Sequence, residues 1–238
     1  MLLEGPHLVG EALEAGLELE AVLATPAFGG TPAGQALIER LPRPPLEVDA
    51  SLLDAIADSD SPRGLVAIGV KAPASLDELS AEDSDSFVFA DGLQDPGNVG
   101  ALARVAEAAG ARALLLSAGT VSAAHPRALR ASAGSLLRLP VIEGTEPQAV
   151  SARLGGAWFR LQTRGGSSLY GAEDAALLSA SGPRILAVGA EGAGLSREVE
   201  AAAGFDLTVP LAGQVESLNA AVAAAVVLFE WRRRALAG

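Results

Sequence analysis

The 238-residue chain carries 29 acidic and 17 basic side chains, a formal net charge of −12, and no cysteine. Half of its residues are hydrophobic, which excludes a disordered chain; the lack of cysteine excludes a disulfide framework, a thiolate metal site and a cysteine nucleophile. Two histidines, His7 and His125, are too few for a histidine-based metal site without carboxylate help.

The length suits one large domain or two small ones. The longest apolar stretch, Leu218 to Phe229, falls well short of the roughly 18 residues that a membrane span needs. The N-terminus has no basic start and an early Glu4, so it does not read as a signal peptide. A soluble cytoplasmic protein with no membrane partner is the expectation.

The charge is unevenly spread. Residues 1–86 hold 16 acids against 4 basic residues, a balance of −12, while residues 87–238 hold 13 of each. Between Gly100 and Arg164 eight arginines face only Glu107, Glu143 and Glu146. Arginine grips phosphate with a planar fork, although an arginine-rich composition also follows from a GC-rich genome.

In chain order, Val9 to Leu17 has helical spacing, and AVLAT (21–25) and GLVAIGV (64–70) are apolar runs suited to strands. The Gly/Pro-rich stretch between them reads as loops around one short helix. Residues 1–75 are thus expected to form a small α/β unit, followed by an acidic linker, LDELSAEDSDS (76–86). A third unit of alternating elements fills 87–238. FVFAD (87–91) reads as a buried strand, Asn98 to Gly110 as a helix with Asn98 as N-cap and Gly110 as stop, and ALLLS (113–117) as a strand. Pro126 to Ala133 reads as a short helix, and AWFRLQT (157–163) and RILAVGAE (184–191) as strands with a helical stretch between them. DLTVPL (206–211) is the last expected strand, and Ser217 to Leu236 a long helix ending in arginines. Strands separated by helices indicate a parallel α/β sheet.

In such a sheet, ligands bind at loops after the C-terminal ends of strands. Three loops stand out. DGLQDPGNVGALAR (91–104) delivers Asn98 to a helix start, with Arg104 about two turns in. GAEGAGLS (189–196) has three glycines, and Glu191 as the charge ahead of its serine. LAGQVESLN (211–219) places Ser217 and Asn219 at a helix N-terminus. Each alone has an ordinary explanation: GAEGAG as a turn, Ser217 as a cap, Arg104 as a surface partner of Glu107 or Glu200. A dinucleotide fingerprint does not fit, because the glycines follow a late strand and glutamate stands in the place of the second; no lysine follows them, which excludes a P-loop.

Together and in order, DPGNVGALARVAEAAG (95–110), AVGAEGAGLS (187–196) and VPLAGQVESLNAAVAAAVVLFEW (209–231) resemble the three motifs of the SpoU (TrmH-like) ribose 2′-O-methyltransferases of the SPOUT class. HPRALRASAGSLLRLPV (125–141) is similar to a further family pattern, and LLEGPHLVGEAL with SPRGLVAIGV is more weakly similar to the small substrate-binding domain often fused to the catalytic one.

The resemblance implies a parallel-sheet SPOUT methyltransferase domain with a C-terminal trefoil knot, preceded by a small α/β substrate-binding domain. It implies S-adenosylmethionine as cofactor, held by Gly189, Glu191, Gly192, Val209, Leu211, Ser217, Leu218 and Asn219. It assigns Arg104 and Asn98, with Ser217 and Asn219, to methyl transfer onto an RNA ribose 2′-hydroxyl, with ribosomal RNA favoured over transfer RNA. Arg127 and Arg130 fall in the stretch that faces RNA, with solvated surface as their ordinary reading, and Gly134 in the same stretch offers close backbone approach. Glu191 is expected to partner backbone N–H groups of its loop, His125 to cap or stand exposed, and Trp158 and Trp231 to pack. The resemblance further implies a homodimer through the C-terminal helix, each site being completed across the interface. A non-catalytic RNA-binding assembly factor and an enzyme using another adenine cofactor are the rivals. The acidic N-terminal unit is a poor phosphate binder; it reads structured RNA by shape or binds a protein.

Overall fold

A computed structural model of the chain describes residues 1–59, 62–171 and 182–237. The first of its two sheets has the order β1-β4-β2-β3, built from β1 (Leu2–Glu4), β2 (Glu18–Ala24), β3 (Leu46–Glu47) and β4 (Leu65–Val70). β4 runs antiparallel to both neighbours, and β3 joins β2 in parallel. Leu8, Val9 and Ala12 of α1 (Gly5–Glu14) bury against Leu3, Leu19 and Val22 of this sheet. Where one short helix was expected there are three: α2 (Pro26–Gly29), α3 (Pro32–Ile38) and α4 (Ala50–Ile56). Two of them start at a Thr-Pro pair. Thr25 and Thr31 accept the N–H groups of Phe28 and Gly34, and the following proline needs no amide partner.

The second sheet has seven parallel strands: β5 (Ser86–Asp91), β6 (Ala113–Ser117), β7 (Val141–Thr145), β8 (Ala157–Gln162), β9 (Ser167–Ser168), β10 (Arg184–Gly189) and β11 (Phe205–Thr208). Their order is β7-β6-β5-β10-β8-β11-β9. Val88, Ala90, Leu114, Leu116, Leu186 and Val188 face the core formed with α5 (Pro96–Ala109) and the C-terminal helix, α10 (Ala220–Ala237). Phe87, Phe89, Leu115, Ile185 and Ala187 face the opposite core with α8 (Pro147–Leu154) and α9 (Arg197–Ala202). Burial on both faces is why these strands read as continuous apolar runs. Trp231 packs edge-on to Phe159 at 5.1 Å and Trp158 against Phe89 at 5.2 Å, so both tryptophans serve packing.

Several boundaries differ from the sequence reading. α5 starts at Pro96, because Asp95 caps it by accepting the N–H of Gly97 at 2.8 Å; Asn98 lies inside the first turn. Gly110 ends that helix at φ +84, as expected. α10 starts at Ala220, three residues after Ser217, with Asn219 as its cap. The last strand stops at Thr208, and Pro210, which has no N–H to donate to a ladder, helps end it. β1, β7, α8 and α9 were not foreseen; each has eight residues or fewer, too few for a period to declare itself. The helix expected between β8 and β10 falls on residues 172–181, outside the described residues.

The acidic linker is strapped down. Leu76–Glu78 forms a 3-10 turn closed by reciprocal bonds between Ser75 and Glu78. Leu76 and Leu79 join the second core, and Arg153 Nη2 donates to Asp77 O at 2.6 Å. Between β6 and β7, α6 (Pro126–Ser132) and α7 (Ser135–Arg138) form a helical pair against α5. Gly100 sits at the α5–α6 crossing, where a Cβ would overlap Ala128 O.

Candidate functional site

The strand order reverses at β5, which has β6 on one side and β10 on the other, and open α/β sheets bind ligands in the crevice beyond such a point. A cavity of about 580 Å³ lies beyond β8 and β10, a size within the range of small-molecule sites. Its walls are the end of β8 (Leu161, Gln162, Thr163), the loop after β10 (Gly189 to Leu195) and the segment Val209 to Asn219. All eight residues named above for cofactor binding line it. Leu161, Gln162 and Thr163 line it too and were not among the expected residues, because only the strand order brings the end of β8 beside the loop after β10.

The glycine loop folds on itself. Ala190 and Gly194 exchange backbone hydrogen bonds of 3.1 and 2.9 Å. A Cβ on Gly189 would stand 2.5 Å from Gly194 C and O, so this glycine serves the closure of the loop. Gly192 sits at φ +85 with open space around it, leaving backbone bare at the cavity wall. Asp91, buried at the end of β5, accepts the N–H of Ser196 at 2.6 Å, and Ser196 caps α9. The far end of the loop is thereby pinned to the strand preceding Asn98.

Three expected residues meet at the cavity edge. Asn98 Nδ2 donates to Glu191 Oε1 at 3.2 Å, and Asn219 Nδ2 donates to Asn98 Oδ1 at 2.7 Å. Asn219 Oδ1 accepts the N–H groups of Ala221 and Val222 at 3.0 and 3.3 Å, which starts α10. Glu191 therefore serves side-chain amides; its expected backbone partners give way to Asn98 and Asn219 because the glycine loop has closed through its own backbone. Ser217 lines the cavity and is exposed.

Arg104 lies six residues beyond Asn98 on α5, exposed and outside the cavity wall. Among the described residues it has no hydrogen-bond or ion-pair partner, and Glu107, the nearest rival, is held by Arg138 at 2.7 and 2.9 Å. Arg127 is also largely exposed, with Asp95 at 3.9 Å. Arg130 departs from expectation: its fork is taken by Glu4 and Asp58, each at 2.9 Å, so it faces protein carboxylates. Gly134 likewise makes room for protein, since a Cβ there would overlap the Glu11 carboxylate. His125 caps α6, its Nδ1 accepting the N–H of Arg127 at 3.1 Å.

The family model of the SpoU rRNA Methylase family matches residues 85–229. The chain belongs to that family. A model of the MRM3-like substrate binding domain matches residues 1–67. The chain is 31% identical over 235 residues, covering 97% of itself and 88% of the relative, to the 23S rRNA (guanosine(2553)-2′-O)-methyltransferase of Bacillus subtilis. Among solved structures, the AdoMet-bound SpoU methyltransferase AviRb of Streptomyces viridochromogenes superposes with a TM-score of 0.86 over 100% of this chain and 91% of that one, at 24% identity. The AdoMet-bound rRNA methyltransferase of Sinorhizobium meliloti superposes with a TM-score of 0.78 at 28% identity, over 98% and 87% of the two chains. The SpoU cavity of this chain suits S-adenosylmethionine. Leu161, Val209 and Leu211 offer apolar cover for a purine, the glycine loop offers bare backbone, and Glu191 and Asn219 offer polar groups.

Proposed function

We propose that this SpoU-family chain transfers a methyl group from S-adenosylmethionine to a ribose 2′-hydroxyl of ribosomal RNA, acting as a homodimer in the cytoplasm. The observation that carries this reading is the Asn98–Glu191–Asn219 contact, which joins one residue from each of three separate loops at the cavity edge. The sulfonium of the bound cofactor supplies an activated methyl group. Backbone groups of Gly189 to Gly194 bind its polar parts, and Val209 and Leu211 cover its base. Asn98 and Asn219 orient the polar groups at the cavity mouth. Arg104 grips the phosphate beside the reacting ribose and stabilises charge developing on the 2′-oxygen. A guanidinium donates hydrogen bonds and accepts none, so the 2′-hydroxyl proton passes to the adjacent RNA phosphate or to water as the methyl leaves sulfur for oxygen. Arg127, exposed beside the α5 start, contacts the RNA backbone.

The homodimer rests on two features. Val222, Phe229 and Leu236 of α10 are 51, 46 and 78% exposed, a run of apolar residues on the C-terminal helix. Arg104 stands outside its own chain's cavity, and a second copy brings an arginine to it. We assign residues 1–75 to substrate binding, 76–86 to the linker and 87–238 to catalysis. Insertion of β10 between β5 and β8, with α10 packed back on α5, supports the trefoil knot.

The test is methyl transfer to ribosomal RNA from cells lacking this protein. Wild type transfers; Arg104→Ala loses about 10² in rate or more while binding S-adenosylmethionine unchanged. Equal transfer by both proteins overturns the role of Arg104, and no transfer by wild type overturns the function.

A further inference from the structure

The stretch 125–141, expected to face RNA, contains the residues that join the two sheets. Arg130 bridges Glu4 at the end of β1 and Asp58 after α4. Glu4 is buried, and its carboxylate also accepts the N–H groups of Asp58 and Ser59 at 2.6 and 3.1 Å. Arg138 bridges Glu107 of α5 and Glu11 of α1. Lys71, just after β4, donates to Leu136 O and Leu139 O at 2.7 and 2.9 Å, satisfying free carbonyls at the end of α7. Gly134 keeps the turn between α6 and α7 bare so that Glu11 reaches Arg138.

Isolated surface ion pairs contribute little. This set differs, because Glu4 is buried and each arginine joins carboxylates from two or more elements. Two units joined by a linker move relative to one another by default. Here the two units share one buried apolar cluster, and three basic residues fix how they sit on it, all three acting through α6 or α7, which pack on α5, the helix bearing Asn98 and Arg104.

We propose that Arg130, Arg138 and Lys71 are positioning residues that hold the N-terminal unit at a set distance from Arg104, so that the RNA segment bound by that unit determines which ribose enters the cavity. This rests on the proposed methyl transfer. Misplacement of a substrate by about 1 Å is enough to cost catalysis heavily. The brace thus works as a ruler, and its loss shifts the methylated position and weakens RNA capture without touching the cofactor site.

The experiment compares wild type with Arg130→Met, Arg138→Met and the milder Lys71→Gln. The readouts are S-adenosylmethionine affinity, kcat and KM on ribosomal RNA, a map of methylated riboses, and small-angle scattering. Each variant is expected to bind cofactor as wild type does, to raise KM about tenfold with a smaller change in kcat, and to methylate riboses next to the wild-type position. Folded variants with wild-type KM, one wild-type site and an unchanged scattering curve overturn the proposal. If wild type itself methylates no RNA, the functional reading fails, and scattering alone still decides whether these residues hold the units together.

Discussion

Asn219 Nδ2 lies 2.7 Å from Asn98 Oδ1, a bond between residues 121 positions apart that ties the start of α10 to the start of α5. The same side chain turns its oxygen to the N–H groups of Ala221 and Val222. One amide thus starts a helix and closes the cavity edge, and the two roles separate by substitution. Asn219→Asp keeps the cap but sets a second carboxylate near Glu191, whose Oε1 is 3.5 Å from Nδ2. It is expected to melt within a few degrees of wild type and to lose about tenfold or more in S-adenosylmethionine affinity. Asn219→Ala is expected to lose about 1 kcal/mol from the cap as well. Calorimetric titration with thermal melting separates the two; unchanged affinity in both variants counts against the assignment.

Gly189 and Gly192 line the same cavity for different reasons. A Cβ at Gly189 meets the Gly194 backbone at 2.5 Å, whereas a Cβ at Gly192 meets nothing within 4 Å and only the φ of +85 opposes it. Gly189→Ala is therefore expected to open the loop and abolish cofactor binding while the rest of the fold stays intact. Gly192→Ala is expected to cost about 1–2 kcal/mol of local strain and to keep measurable binding. Equal affinities for the two variants, read by titration, would contradict this account.

Carboxylates tied to arginine are expected to make the stability of this protein sensitive to acid. Hydrogen bonds from Arg233 and then Arg234 hold the Glu230 carboxyl at about 2, and the bond from Arg138 lowers that of Glu107. A carboxyl whose folded pKa lies below its unfolded value near 4.5 stabilises fully above that value and loses its contribution as pH falls through the folded pKa. Melting temperature is expected to be insensitive to these groups from pH 7 to about 5, then to fall between about 4.5 and 2. Glu230→Gln is expected to flatten that acid limb; a limb unchanged by the substitution would show that other groups control it.

Arg104 is exposed on α5 and does not line the cavity, so a dimer that completes each site with its partner's arginine makes a specific demand. Mixing Arg104→Ala with Asn219→Ala, each impaired alone, is expected to give more activity than the two separate samples together, because mixed dimers hold one intact pair of surfaces. Phe229→Glu, on the exposed face of α10, is expected to sediment as a monomer and lose transfer. Mixed samples that gain nothing while exchanging subunits would place Arg104 and the cavity in the same chain.

The sequence by itself determined the parallel sheet and three candidate ligand loops from local signals, and its resemblance to the SpoU motifs pointed to the eight residues that line the cavity. Apolar runs buried on both faces, glycines needing open backbone, and amides at helix starts declare themselves within a few positions. The −12 charge lies within residues 1–86, which leaves residues 87–238 neutral overall. Tertiary structure alone decided which partners these groups meet. Arg130 and Glu4 are 126 positions apart, and an arginine aimed at a carboxylate reads the same in sequence as one aimed at phosphate. The insertion of β10 beside β5 likewise decided that Leu161, Gln162 and Thr163 would wall the cavity, since strand order is a long-range choice that local periodicity does not encode.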